Sequence, residues 1–333
     1  MTPAILIFMN ELDGLTRRIK ELTGWNKVDR PRIVTDTTNC MDIRRGDILR
    51  FDNYNYVIRG NRYETRFGIA DQPKYWVFGA IDLDSGKKKI IKTVFHEEFK
   101  VRIGIFKIRC FRSPEKEGDV LRLVKGDSRF MQGFSLYDEK KNNVRIIDYI
   151  NGETLLYDII KIKKDHEQYF YEDLPKILKN LLYCIEAINL LHENDLCHGD
   201  IRNDHIIIDN EDNNKYRWID FDLKQNLSDF DVWSIGNIIN YAVGKGINPF
   251  QKILKSKEFS DEQKNSLGPE DASAFYEYRL MNLKKIYPYI PETLGDILMH
   301  FVIKPEITYT KINELLVDYR KMLDTEMSGT ANK

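Results

Sequence analysis

No apolar run in this chain of 333 residues approaches the roughly 20 residues that a membrane-spanning helix requires; "AILIFM" near the start is among the longest. A membrane partner is therefore not expected. The opening "MTPAILIFMNELDG" has neither a basic leader nor a small-residue cleavage site, and acidic residues follow at once, which argues against a secretory signal and for the cytoplasm. Cysteine is scarce and scattered: Cys40, Cys110, Cys184 and Cys197 form no C-x-x-C pair, which speaks against a zinc knuckle and a disulfide framework and leaves reduced, buried thiols. Charge of one sign is also missing. With 51 basic and 52 acidic residues the net charge is −1, so the overall balance offers no attraction to nucleic acid or to a membrane surface. Neither internal repeats nor low-complexity tracts occur.

What is present is enough apolar residue, 42%, to bury a core, with 31% charged residues to cover it. Leu12, Leu15, Ile19 and Leu22 recur at helical spacing within residues 9–25. From "GDILRFDNYNYVIRG" to about residue 111 the pattern changes to short β-branched and aromatic runs, broken at Asp52-Asn53 and Asp84-Ser85-Gly86. Ser113 followed by Pro114 starts a helix, because serine caps the free N–H groups and proline fits the first helical position. Two more strands flank the turn at 140–143. Beyond residue 152 the pattern is mainly helical, led by Leu174, Ile177, Leu178, Leu181, Ile185 and Ile188 on one face of a helix ending at Glu193-Asn194-Asp195. One hairpin interrupts it, Ile206–Ile208 and Tyr216–Ile219, with Asp200 before its first strand and Asp220 after its second. The expected class is α+β, in four parts: an extension at 1–53 made of a helix and a β lead-in, a β-rich lobe at 54–152, a helical lobe at 153–325 and a disordered tail at 326–333.

"CHGDIRNDHIII", "WIDFDL" and "FDVWSIGNII", in this order and at these spacings, resemble the catalytic loop, the metal-binding Asp-Phe-Gly segment and the anchoring helix of the protein kinase superfamily. "VFGAIDLDSGKKKIIKTV" is similar to that family's second and third strands. The resemblance runs from about residue 54 to residue 320 and implies a bilobal kinase-like fold, with ATP and Mg²⁺ or Mn²⁺ as cofactors.

Residue by residue, it implies that Lys92 sits on the nucleotide phosphates, held by Glu117 or else by Glu115. Asp200 would orient the acceptor hydroxyl and take its proton, with Arg202 in the place of the usual lysine. Asp220 would bind the metal, and His205 stands where the family has a metal-binding asparagine; the alternative is that Asn203, Asp204 or Asp222 supplies that oxygen. Val77 and Gly68 would lie over the nucleotide, and the main chain of Asp148 and Ile150 would read its base. His198 and Asp231 would brace the loop structurally, and Cys197 is a core thiol.

The pattern also breaks. "RFGIADQPKYWVF" lacks the repeated glycines of a phosphate loop, Asp222 replaces the glycine of Asp-Phe-Gly, Gly199 replaces an arginine, and only ten residues separate Asp220 from Asp231. That stretch is too short for the activation segment of a protein kinase, so switching by phosphorylation there is not expected. The resulting function is an atypical serine/threonine protein-kinase-like phosphotransferase acting on a protein or small-molecule hydroxyl; the alternatives are a small-molecule kinase of the aminoglycoside type, and a pseudokinase acting as a binding module.

Overall fold

Between Ile48 and Asp82 apolar residues occupy both sides of the strands, so a sheet built from them must be covered twice. In the computed structural model the backbone is described for residues 3–26, 31–66, 69–103, 106–225, 227 and 229–330. It divides into two units. The first comprises Met1–Glu97, Arg112–Asp127 and Met131–Ile150; the second comprises Glu98–Phe111, Ser128–Phe130 and Asn151–Lys333.

The first unit opens with helix α1 (Pro3–Thr23), then β1 (Ile33–Val34), β2 (Ile48–Phe51), β3 (Tyr54–Arg66), β4 (Ile69–Asp82) and β5 (Lys88–Lys92). The next two strands, β6 (Glu98–Ile103) and β7 (Phe106–Arg112), enter a separate sheet. The first unit resumes with α2 (Pro114–Leu123), β8 (Gly133–Tyr137) and β9 (Asn143–Asp148). Its seven strands pair in the order β1-β2-β3-β4-β5-β9-β8. Because side chains alternate along a strand, Val57 and its cross-strand partner Ile81 face one way with Ile48, and α1 seals them with Ile19, Leu15 and Leu22. Tyr56, Ile58, Phe78, Ala80, Ile91 and Ile146 form the other core. Burying a side chain of this size contributes about 1.5–3 kcal/mol. Residues 1–53 thus lie within the first unit. The lead-in is tied down by polar contacts as well: Asp138 in the β8–β9 turn accepts from the N–H and the hydroxyl of Thr37, both at 2.7 Å.

The second unit continues with β10 (Gly152–Thr154), α3 (Leu155–Ile160), α4 (His166–Glu172), α5 (Leu174–Glu193), β11 (Ile206–Asp209), β12 (Lys215–Trp218) and β13 (Leu223–Gln225). Helices α6 (Phe230–Val243), α7 (Phe250–Lys255), α8 (Asp261–Asn265), α9 (Glu292–Met299) and α10 (Ile312–Thr330) follow. The β11–β12 turn places Asn213 and Asn214 in the left-handed region, which short amide side chains tolerate. Trp218 Nε1 donates to the Cys184 carbonyl at 2.9 Å, fastening the hairpin to α5. Strand β13 pairs with β7, and Ile108, Cys110, Leu223 and Phe275 form a core beneath that sheet. The β pattern up to residue 111 thus belongs to two sheets, since alternation specifies a strand and not its partner. Helix α10 carries helical backbone to Thr330, past residue 326 where a disordered tail is expected, and 331–333 lie outside the described residues.

Candidate active site

In the first unit, Lys92 ends β5 directly opposite Val77 of β4 and Arg145 of β9. Helix α2 starts as its sequence requires, with Ser113 Oγ accepting the Lys116 N–H at 3.3 Å and Pro114 in the first turn. It packs against β8 and β9 through Pro114, Glu117, Val120 and Leu121. Glu115 lies on the opposite, exposed side, so the helix face decides between the two candidate carboxylates. Glu117 Oε1 is 2.6 Å from Lys92 Nζ, with the lysine 5% and the glutamate 0% exposed. The sequence offered no warning that Glu117 has a second cation: its Oε2 accepts from Arg145 Nε at 3.1 Å. Arg145 is 1% exposed and also donates to the carbonyls of Asn143 and Thr93. An arginine inside the otherwise apolar strand "VRII" was the signal that could have found it. Val77 is buried in the core, Gly68 lies outside the described residues, Asp148 is the last residue of β9 with an exposed carboxylate paired to Lys89, and Ile150 closes the unit.

In the second unit the loop before β11 is held from below by Asp231, at the start of α6. Its carboxylate accepts the N–H of His198 at 2.7 Å, the N–H of Gly199 at 2.8 Å and Nε2–H of His192 at 3.0 Å. Burial pushes this carboxyl up, but the hydrogen bonds and the neighbouring histidines outweigh it and hold Asp231 below the ordinary carboxylate range. The His198 ring lies against Trp218 and Phe221, at centroid distances of 5.0 and 4.6 Å, and its Nδ1 accepts the Asp200 N–H. These contacts are those of a brace.

His205 brings the acids together. Its Nδ1 donates to the main-chain carbonyl of Asp200 at 2.7 Å, which in the neutral ring leaves the lone pair on Nε2. Nε2 lies 3.6 Å from Asp220 Oδ2, and Nδ1 lies 3.7 Å from Asp200 Oδ2. Asp220 itself has φ of 69°, a left-handed turn between β12 and β13. The ring is 3% exposed, so its orientation is set by packing. Arg202 does not reach Asp200; it forks onto Asp204, Nε to Oδ1 at 2.9 Å and the terminal nitrogen to Oδ2 at 2.7 Å. Burial opposes the charge on Arg202, but Asp200 and Asp204 hold its pKa above the ordinary value. The Asn203 side-chain oxygen is buried and accepts no hydrogen bond among the described residues. Cys197 is half-buried and the other three cysteines are buried; none forms a disulfide among the described residues. No cluster of three or more His, Cys, Asp or Glu able to hold a metal occurs among the described residues, and none of their helices is long and apolar enough to cross a membrane.

No protein family's profile matches this chain. A probable serine/threonine-protein kinase, fnkE, of Dictyostelium discoideum is 30% identical over 114 residues, which is 33% of this chain and 8% of that protein. The relationship is kinase-like. With the α+β architecture, a β-sheet unit first and helices later, it is compatible with a bilobal fold and suggests a kinase-like phosphotransferase.

Proposed function

We propose that this chain is an ATP-dependent phosphotransferase, an atypical serine/threonine protein-kinase-like enzyme that moves a phosphoryl group to a hydroxyl acceptor. The observation that carries the reading is the His205 ring standing between Asp200 and Asp220, on a loop anchored by Asp231. Phosphoryl transfer asks a protein mainly to position groups and to neutralise charge. Asp200 accepts the proton of the acceptor hydroxyl. Lys92, fixed by Glu117, neutralises the α- and β-phosphates, with Val77 and the main chain of Asp148 and Ile150 toward the base. Arg202 supplies positive charge beside Asp200.

A divalent ion, when bound, draws charge off the phosphates and aligns them. Asp220 and His205 would hold it. Two donors sharing one ion at about 2.0–2.2 Å stand roughly 3–3.6 Å apart, and the separation of 3.6 Å between Nε2 and Oδ2 suits that. A ring nitrogen whose partner N–H is tied to a carbonyl is also the usual arrangement of a ligating histidine. The phosphates themselves supply further oxygens in sites of this kind.

A second reading, a small-molecule acceptor, is favoured by the ten residues between Asp220 and Asp231, part of which is already the strand β13 and offers little platform for a peptide. Labelled ATP should be supplied to the purified chain with Mg²⁺ or Mn²⁺, alone, with added proteins and with a metabolite extract. Transfer that depends on Lys92 and Asp220, lost in Lys92→Met and Asp220→Ala, is the expected result, and the fraction that takes the label names the acceptor class. If nothing is labelled and ATP with metal gives no thermal shift, the chain is a binding module, because a ligand at 100 times its Kd stabilises by about 2.7 kcal/mol.

A further inference from the structure

Lys92 and Arg145 are direct cross-strand partners on β5 and β9, so their side chains leave the sheet side by side on one face. Like charges placed directly opposite repel each other. Glu117 joins them: its Oε1 takes Lys92 Nζ at 2.6 Å and its Oε2 takes Arg145 Nε at 3.1 Å. Two cations on one carboxylate leave positive charge to spare at this point, where a neutral lysine–glutamate pair would leave none.

The two cations are not held alike. Arg145 donates from its other nitrogens to main-chain carbonyls, to Asn143 at 2.7 Å and to Thr93 at 3.2 Å. A carbonyl of this kind does not titrate, and a planar guanidinium bonded on three sides has one orientation. Thr93 directly follows Lys92, and its own N–H is donated to the Trp76 carbonyl at 2.9 Å. The arginine therefore grips the main chain beside the lysine and leaves the lysine side chain alone. Lysine, by contrast, carries a point charge on a flexible stem. Helix α2 is also seated closely here: a Cβ added to Gly118 would stand 2.9 Å from Ser135 Oγ of β8. When the Lys92 ammonium turns toward a phosphate, Glu117 keeps a rigid, wholly buried partner and stays where it is.

We propose that Arg145 is a positioning residue for Lys92: it holds Glu117, and α2 with it, independently of nucleotide, so that the lysine meets the phosphates without a prior movement of the helix. This rests on the reading of Lys92 as the phosphate-binding cation of a phosphotransferase. The test is a double-mutant cycle on the full chain, read both as kcat/KM for ATP and as the Kd of adenylyl imidodiphosphate. Arg145→Met should lower kcat/KM and weaken analogue binding at least tenfold. Arg145→Lys, which keeps the charge but not the fork, should recover part of that loss. In a Glu117→Gln background, itself impaired, Arg145→Met should change either quantity less than twofold, because a residue that acts through Glu117 then has nothing to act on. An arginine that merely stabilises the fold would cost as much in either background. If Arg145→Met does not fold, the same cycle run with Arg145→Lys decides. Wild-type kinetics and binding in the arginine variants, or equal losses in both backgrounds, overturn the proposal while leaving phosphoryl transfer standing. Analogue binding that follows the cycle in a chain that transfers no phosphate supports the role of Arg145 and refutes the transferase reading instead.

Discussion

Replacing Glu117 by alanine should cost more stability than replacing the lysine it binds. Glu117 is wholly buried between two cations, Lys92 Nζ at 2.6 Å and Arg145 Nε at 3.1 Å, so its removal breaks two buried pairs at once. Breaking one buried pair in this way typically costs 3–5 kcal/mol, and Glu117→Ala breaks two at once, which places it toward the top of that range, about 5 kcal/mol. Lys92→Met is milder: methionine fills the lysine's space, and Glu117 keeps Arg145, which is itself anchored by two carbonyls. The loss there includes the charge-assisted hydrogen bond to Glu117, about 1.5–3 kcal/mol. The double variant should cost clearly less than the sum of the two, since the lysine no longer needs a carboxylate once it is gone. Urea unfolding at neutral pH, with the slopes compared so that changes in the unfolded state are seen, measures all three. Lys92→Met costing as much as Glu117→Ala, or strict additivity in the double variant, would refute the reasoning.

His205→Asn should shift the metal preference from Mn²⁺ toward Mg²⁺ while keeping turnover, because an imidazole nitrogen favours transition ions and an amide oxygen favours Mg²⁺; Mn²⁺ binding by electron paramagnetic resonance gives a readout independent of activity, and an unchanged profile would leave Asn203 as the ligand to replace next. Phosphatase treatment should leave the rate unchanged, since Leu223–Gln225 is already a strand paired with β7 and needs no added charge to order it; a large loss of rate after treatment contradicts this. His166 is stacked on Tyr287, hydrogen-bonded to Tyr289 and to the Val243 carbonyl, and burial pushes its pKa down to about 4 from 6.5. The unfolded chain therefore takes up a proton that the folded one refuses between those values, so stability is full above pH 6.5 and falls by about 2–3 kcal/mol toward pH 4; His166→Gln should flatten that slope in melts run across the range, and an unaltered slope would assign the acid sensitivity elsewhere.

Much of this molecule was legible along the chain because the information is local. Leu174 to Ile188 at helical spacing marked α5, Ser113-Pro114 marked the start of α2, and the two apolar runs around "DNEDNNK" marked the hairpin that brings Asp200 and Asp220 to one end. Each depends on a period or a cap that a short segment carries by itself. Where segments meet is another matter. The spacing of Glu117 to Leu121 favoured it over Glu115, but it is the packing of α2 against β8 and β9 that turns one inward and the other to water. Arg145 as the second partner of Glu117, the fork of Arg202 onto Asp204, and the hydrogen bond that aims His205 Nε2 at Asp220 are contacts between groups whose approach no local pattern specifies. The strands at 98–112 show the limit most clearly: their alternation marks them as β, but alternation looks the same in any sheet, and it was the burial of Ile108 and Cys110 against Leu223 and Phe275 that gave them β13 as a partner. The sequence by itself determined which elements form and which residue types can do chemistry; the tertiary structure decided which of those residues touch, because that depends on side chains from distant segments competing for the same buried space.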